Sequence, residues 1–188
     1  MVVEKKSKNM DILKDKIKKA VPVLEKELDE KNPMALPRLA KVVINTGTGR
    51  LRDKKRDELI ADRLAKITGQ KCAPRGAKKS IASFKVRQGE IVGHTVTLRG
   101  QKMFDFLNML INVAMPRIRD FKGYDEKSID NMGNMTIGVR EHIIFPQTAD
   151  EEARDIFGFS VTIQTTAKNK KEALAFFKAV GFPFKKIV

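Results

Sequence analysis

The chain has 188 residues, 41 % of them hydrophobic, with 38 Lys and Arg against 23 Asp and Glu, a formal charge of +15 and a pI near 10. That length and apolar content allow a domain with a buried core and exclude a wholly disordered chain. A charge excess of this size repels itself unless a polyanion neutralises it, and nucleic-acid backbones do so with release of counterions.

An anionic membrane surface is the competing partner. No run of about 18 apolar residues exists to span a bilayer, and the N-terminal MVVEKKSKNM lacks the apolar core of a secretory signal. The single Cys72 excludes an internal disulfide framework and a cysteine-rich zinc site, and fits a reducing compartment. A soluble cytoplasmic protein without a membrane partner is expected.

Residues 1–9 are polar and lysine-rich and read as a flexible tail before a single domain over 10–188. From Met10, the residues Ile12, Leu13, Ile17, Ala20, Val23, Leu24 and Leu28 recur at helical spacing as far as Glu30. Pro22 within them predicts one kinked helix or two short ones. Asn32-Pro33 and Leu36-Pro37 mark an extended loop.

Leu39–Thr46 is rich in β-branched residues and predicts a strand. Gly47-Thr48-Gly49 turns the chain, and Asp53 or Asp57 opens a helix to about Ile67 with Leu59, Ile60, Leu64 and Ile67 as its stripe. Lys71–Ala73 reads as short and extended, and a basic loop follows over about 74–89. Ile91–Leu98 alternates as a strand.

Met103 to Met115 is a strongly apolar helix with Met103, Leu107, Leu110, Ile111 and Ala114 as its core face, ended by Pro116. After a loop rich in Asp, Gly and Asn, Asn134–Val139 reads as a strand, His142–Phe145 as a short apolar piece and Ala149–Ile156 as a polar turn or short helix. Phe159–Thr165 is the clearest strand. In the last helix Ala173, Phe176, Phe177 and Val180 form the buried stripe. Asn169 and Glu172 stand at capping-box spacing ahead of it, and Gly181 closes it. Helices and strands interleave, and the hairpin-like stretch 71–99 argues against an all-parallel sheet. The class is α+β with a mainly antiparallel sheet.

The strands share a pattern. Val42 and Ile44, Val96 and Leu98, Ile137 and Val139, Val161 and Ile163 face one way, toward the apolar helices. Lys41, Val43 and Asn45, then Thr95, Thr97 and Arg99, then Asn134 and Thr136, then Ser160, Thr162 and Gln164 face the other. A wetted antiparallel face accounts for this by itself. An open binding surface accounts for it too, because short hydroxyl and amide side chains reach 2′-hydroxyls, base edges and phosphates while Lys41 and Arg99 supply charge at the rim. With no Trp, one Tyr and Phe residues mostly at core spacing, this is not a base-stacking platform.

Eight cations lie between Arg63 and Arg87 without one acid, which is not the interspersed pattern of a merely solvated surface. Ile81 and Phe84 would stand exposed on that loop unless a partner covers them, so a loop that orders on nucleic acid is expected.

Other sites fail. Gly47-Thr48-Gly49 lacks the third glycine of a dinucleotide fingerprint, since Arg52 stands there, and no phosphate loop is present. His94 shares the inner face with Val96, His142 has only Glu141 beside it, Cys72 has no evident base, and Glu151-Glu152 reads as a solvated acidic face. No cofactor, metal ligand set or catalytic constellation is expected.

Taken in order, PRLAKVVINTGTG, TGQK, AKKSIASFKVRQGEIVGHTVTLRG, LINVAMPRIRDFKG, GNMTIGVREHIIFPQ, TIQTTAKNKKEA and the terminal GFPFKK resemble the L-five family, the 5S-rRNA-binding proteins of the large ribosomal subunit. The likeness runs from about Met10 to Lys186, with an ending of the bacterial or organellar type. It implies a curved antiparallel sheet with helices on its convex side and a structural, non-enzymatic role in the central protuberance.

The partners it implies are 5S rRNA, large-subunit rRNA, the peptidyl-site tRNA, neighbouring large-subunit proteins and a protein of the small-subunit head. By position, its sheet-side 5S contacts fall on Asn45, Gln70 and Thr97 with Arg99 close by, and Lys41 and Thr95 share that face. Its tRNA-reaching loop falls on Arg75 to Arg87, including Lys78, Lys79, Ser80, Ser83, Phe84 and Lys85. Its small-subunit contacts fall in the loops after Pro116. A free RNA-binding regulator or chaperone is the alternative on the same fold, and a phosphate-substrate enzyme is a distant third.

Overall fold

The computed structural model describes residues 12–30, 32–49, 54–148 and 156–185. The expected tail, the helix start at Met10, Asp53, the pair Glu151-Glu152 and Lys186 lie outside the described residues. Among the described residues, five strands form one antiparallel sheet: β1 (Leu39–Gly47), β2 (Ala73–Gly76), β3 (Ile91–Leu98), β4 (Met135–Val139) and β5 (Phe159–Thr165), in the order β2-β3-β1-β5-β4. Four helices accompany it there: α1 (Ile12–Glu27), α2 (Lys54–Thr68), α3 (Gly100–Met109) and α4 (Lys170–Val180). The fold is α+β, as the interleaved pattern predicts.

Alternation decides which face is covered. Val42, Ile44, Val96, Leu98, Met135, Ile137, Val161 and Ile163 are buried on one side, with Phe159 and Val139 at its end. Against them pack Ile60, Leu64 and Ile67 of α2, Met103, Phe106 and Leu107 of α3, and Ala173, Phe176, Phe177 and Val180 of α4. Each fully buried large side chain contributes about 1.5–3 kcal/mol by leaving water. Leu13, Ala20 and Leu24 seat α1 on this layer, chiefly against α4.

Of the two readings left open for the first helix the single helix holds, and local details differ from the sequence expectation in three further places. α1 runs as one helix through Pro22 to Glu27, because its buried stripe continues on both sides of the proline. β2 occupies 73–76, so the start of the expected basic loop is an edge strand paired to β3. Helix α3 gives way at Leu110–Ala114 to a wider π turn and then a 3₁₀ turn at Met115–Arg117. Pro116 has no N–H to give the carbonyl four residues back, and the ladder re-registers ahead of it. Phe106 of α3 is buried, whereas Ile111, expected on the core face, is only half-buried.

Finally, Asn169 makes no side-chain cap bond. Glu172 instead accepts the Lys168 backbone N–H at 3.0 Å and the Asn169 side-chain amide at 3.3 Å. Gly181 closes α4 in the left-handed region, at φ 91°, as expected.

Candidate nucleic-acid interface

The face opposite the helices is laid out by strand register. Gln164 and Lys41 lie in one row; Thr136, Thr162, Val43 and Thr97 in the next. Gly138, Ser160, Asn45, Thr95 and Ala73 form a third, spanning all five strands, and Gly47, Gly93 and Arg75 a fourth. Strands are spaced about 4.8 Å apart and same-face rows about 7 Å, so the lattice repeats on the scale of a nucleotide. These polar side chains are half-buried or exposed, in contrast with the sealed reverse face.

Hydrogen bonds hold this lattice in place. The Thr95 hydroxyl donates to Asn45 Oδ1 at 2.8 Å, which fixes the amide and leaves its NH₂ as a donor toward solvent. The Ser160 hydroxyl donates to the Asn45 carbonyl at 3.3 Å, and the Thr136 and Thr162 hydroxyls share a bond at 3.2 Å. Asn45, Thr95 and Thr97 therefore sit together, as the alternation predicts.

Gln70 reaches the same edge from the turn after α2. Its Nε2 donates to the Thr97 carbonyl at 3.3 Å, which leaves its side-chain oxygen as an acceptor. Thr68, which closes α2, and Lys102, absent from the sequence reading, hold that turn. The Thr68 hydroxyl donates to the Leu64 carbonyl at 2.7 Å and lies 3.3 Å from the Gln70 N–H, and Lys102 Nζ donates to the Gly69 carbonyl at 3.1 Å. Thr68 carried a legible signal, a hydroxyl at a helix C-terminus; Lys102 carried none, because its partner is 33 residues away. Arg99 is exposed just past β3, and Lys41 half-buried on β1, so both cations stand at the rim.

Beyond β2 the basic segment closes on itself. Ala77 donates to the Glu90 carbonyl at 2.8 Å, Gly89 returns a bond to Ala77 at 2.9 Å, and Ile81 and Val86 exchange both backbone bonds around a 3₁₀ turn at Ala82–Phe84. Lys85 takes the left-handed region at φ 52°, a conformation that disfavours a side chain and is held by the surrounding bonds. The Ser80 hydroxyl accepts from Gln88 N–H at 3.0 Å.

Phe84 is 71 % exposed and Ile81 46 %, as the sequence predicts. With Ala77, Val86, Val92 and Gly49 they line a cleft of about 1020 Å³, flanked by Lys78, Lys79, Ser83 and Lys85. Arg75, Lys78, Lys79 and Arg87 form no ion pair among the described residues. An apolar cleft ringed by cations suits a flat aromatic group carrying phosphate.

The titratable groups behind the sheet have partners that the sequence does not reveal. His94, 5 % exposed, sets Nε2 at 2.9 Å from Asp57 Oδ1 and Nδ1 at 3.4 Å from Cys72 Sγ. Cys72 thus has a base beside it, contrary to the sequence expectation, and the order is that of an activated thiol. Its electrostatics are not. Burial pushes the Cys72 thiol above its ordinary value, so it stays S–H and serves as a donor. Asp57 and Cys72 sit on opposite nitrogens of the ring and cannot converge on one ion. The trio is a buried pin joining α2, β3 and the segment that delivers Gln70.

His142 is fully buried, stacked on Phe157 at 4.3 Å, with the Phe157 N–H 3.4 Å from its Nδ1 and Arg63 Nη1 3.3 Å from its Nε2. Glu141, its neighbour in sequence, is exposed. Both histidines belong to the core.

Comparison with known proteins converges on one description. A family profile described as ribosomal protein L5 matches residues 32–87, and one described as the C-terminus of the same ribosomal family matches 91–184. Curated relatives called large ribosomal subunit protein uL5 align along nearly the whole chain. The relative from Halothermothrix orenii is 45 % identical over 93 % of this chain and 99 % of its own. That from Ureaplasma parvum serovar 3 is 46 % identical over 94 % and 95 %. That from Acidobacterium capsulatum is 47 % identical over 92 % and 96 %.

Proposed function

We propose a division of labour that starts from one premise: the chain belongs to the ribosomal protein L5 family, structural and non-enzymatic components of the large ribosomal subunit. On that premise, the open sheet face holds 5S rRNA and attaches it to the central protuberance, with large-subunit rRNA alongside. Asn45, Thr97 and Gln70 make the specific contacts, Thr95 orients Asn45, and Lys41 and Arg99 meet phosphates.

The observation that carries this reading is the oriented trio itself. Asn45 and Gln70 each commit one amide group to the protein, to Thr95 and to the Thr97 carbonyl, and keep the other for a partner. Orienting one donor and one acceptor before binding lowers the entropy lost on binding.

The hairpin from Arg75 to Arg87 is the electrostatic arm for the peptidyl-site tRNA, with Phe84 and the apolar cleft available to an unstacked base. Ser80 and Ser83 shape and flank it. The small-subunit head meets the segment after Pro116. There Arg117, Arg119, Lys122, Arg140 and Lys185 surround a groove of about 720 Å³ that also holds Asp120 and Glu141.

Incubating the purified protein with total RNA tests the central statement: 5S rRNA should be retained selectively. Asn45→Ala with Thr97→Ala should then weaken retention by roughly 1–3 kcal/mol, the range for lost specific polar contacts to nucleic acid. Unchanged affinity in a filter-binding assay would remove the sheet face from the 5S site.

A further inference from the structure

Past Gly181 the chain turns onto the segment that follows Pro116. We infer that residues 182–185 are a strap that shapes the groove around Arg117, Arg119, Lys122 and Arg140, and so position the surface offered to the small-subunit head. This rests on the reading that the groove meets the small subunit.

The strap has a fixed origin. Gly181 closes α4, and Phe182 behind it is buried. The Phe182 N–H donates to the Phe177 carbonyl at 3.0 Å, and the two rings meet edge to face at 5.1 Å. Pro183 cannot continue the helix. From there the strap pairs in parallel with Tyr124: the Tyr124 N–H donates to the Pro183 carbonyl at 2.9 Å, and the Lys185 N–H to the Tyr124 carbonyl at 2.9 Å. Among the described residues, these are the two backbone bonds that tie 119–125 to a distant part of the fold.

Contact at this seam is close. Gly123 stands at φ 90°, and a Cβ there would lie 2.7 Å from the Phe184 carbonyl carbon and 2.8 Å from the Lys185 nitrogen. Both are backbone atoms, so no rotamer change relieves the clash. Asp120, in the same loop, takes the left-handed region at φ 53°, a conformation that persists in a non-glycine residue only where its surroundings hold it.

Two further contacts brace the loop. Phe184 and Tyr124 are partly buried against the core, and the Tyr124 ring stands edge to face with Phe121 at 5.2 Å. Lys178 of α4 pairs with Glu126 at 2.9 Å, an exposed bond that adds little energy but places the same helix end against the loop twice. Lys185 itself lines the groove, so the strap supplies a fifth cation as well as one clamped wall. A wall fixed before docking loses less entropy when a partner arrives.

Hydrogen exchange read by mass spectrometry on the full-length protein tests the strap. In Gly123→Ala and in Phe184→Ala the peptide over 119–126 should exchange about tenfold faster than in wild type, with β5 unchanged. Phe184→Ala leaves the loop backbone unstrained and decides the matter if Gly123→Ala does not fold. Phe184→Leu, which keeps an apolar side chain on the strap, should exchange like wild type.

Large subunits assembled with either alanine variant should join small subunits more weakly in light scattering, while the free variants retain 5S rRNA as wild type does. Unchanged exchange over 119–126 in both, or a rise no greater than that of β5, would overturn the strap. Faster exchange confined to 119–126 with unchanged subunit joining would bear out the strap and refute the small-subunit reading beneath it.

Discussion

Replacing His94 with leucine should cut stability sharply while leaving every residue of the open face in place. The imidazole bonds Asp57 at 2.9 Å and faces the Cys72 thiol at 3.4 Å. A leucine side chain fills the volume but leaves a carboxylate whose side chain is only 22 % exposed without its partner. A hydrogen bond to a charged group is worth about 1.5–3 kcal/mol, and the weak thiol donor adds little.

A loss of about 2–3 kcal/mol is therefore expected, a large share of the 5–15 kcal/mol typical of a folded domain. At this chain length it should lower the melting midpoint by roughly 4–12 °C. Asp57→Asn should fall between the two, since the amide oxygen can still accept from the ring. Differential scanning calorimetry measures all three proteins. A His94→Leu variant melting within about a degree of wild type would refute the claim that these three residues pin α2 to β3.

Three further outcomes follow from the geometry. Cys72, buried and with its thiol held above the usual range by desolvation, should react with iodoacetamide far more slowly in the native protein than in urea; equal rates would contradict its burial. Burial pushes the Tyr124 phenol up to about 12, and its hydroxyl has no hydrogen-bond partner among the described residues.

Because the folded value exceeds the unfolded one, that phenol's contribution is fully present below about pH 10 and lost as pH climbs toward 12. Tyr124→Phe should hold or raise the melting midpoint near neutrality and flatten its alkaline decline; a loss of stability at about pH 7 would count against the orphaned hydroxyl. Neutralising Lys78, Lys79, Lys85 and Arg87 together should leave 5S rRNA retention intact and weaken tRNA crosslinking on the ribosome. Collapse of 5S binding at all salt concentrations would refute the division between arm and sheet.

The sequence by itself determines the periodic features of this protein. A two-residue period puts Asn45, Thr95 and Thr97 on one face and Val42, Val96 and Leu98 on the other wherever the strands pair, because successive side chains on a strand must point apart. The stripe Ala173, Phe176, Phe177, Val180 and the glycine after it are equally local. So is the charge that points to RNA. In each case the physical cause lies within a few residues of the chain.

What spans the chain was left to the tertiary structure. The strand order puts β1 between β3 and β5, and only that order joins the separate polar faces into one lattice. His94 meets Asp57 across 37 residues and Cys72 across 22, and Gln70 meets Thr97 across 27; no spacing rule reaches so far. β2 was hidden because Pro74 and Gly76 are poor strand formers, tolerated where the strand is at an edge with a partner on one side only. Alternation alone defines a polar side for each strand; pairing makes those sides a surface, because only backbone hydrogen bonding fixes which rows align.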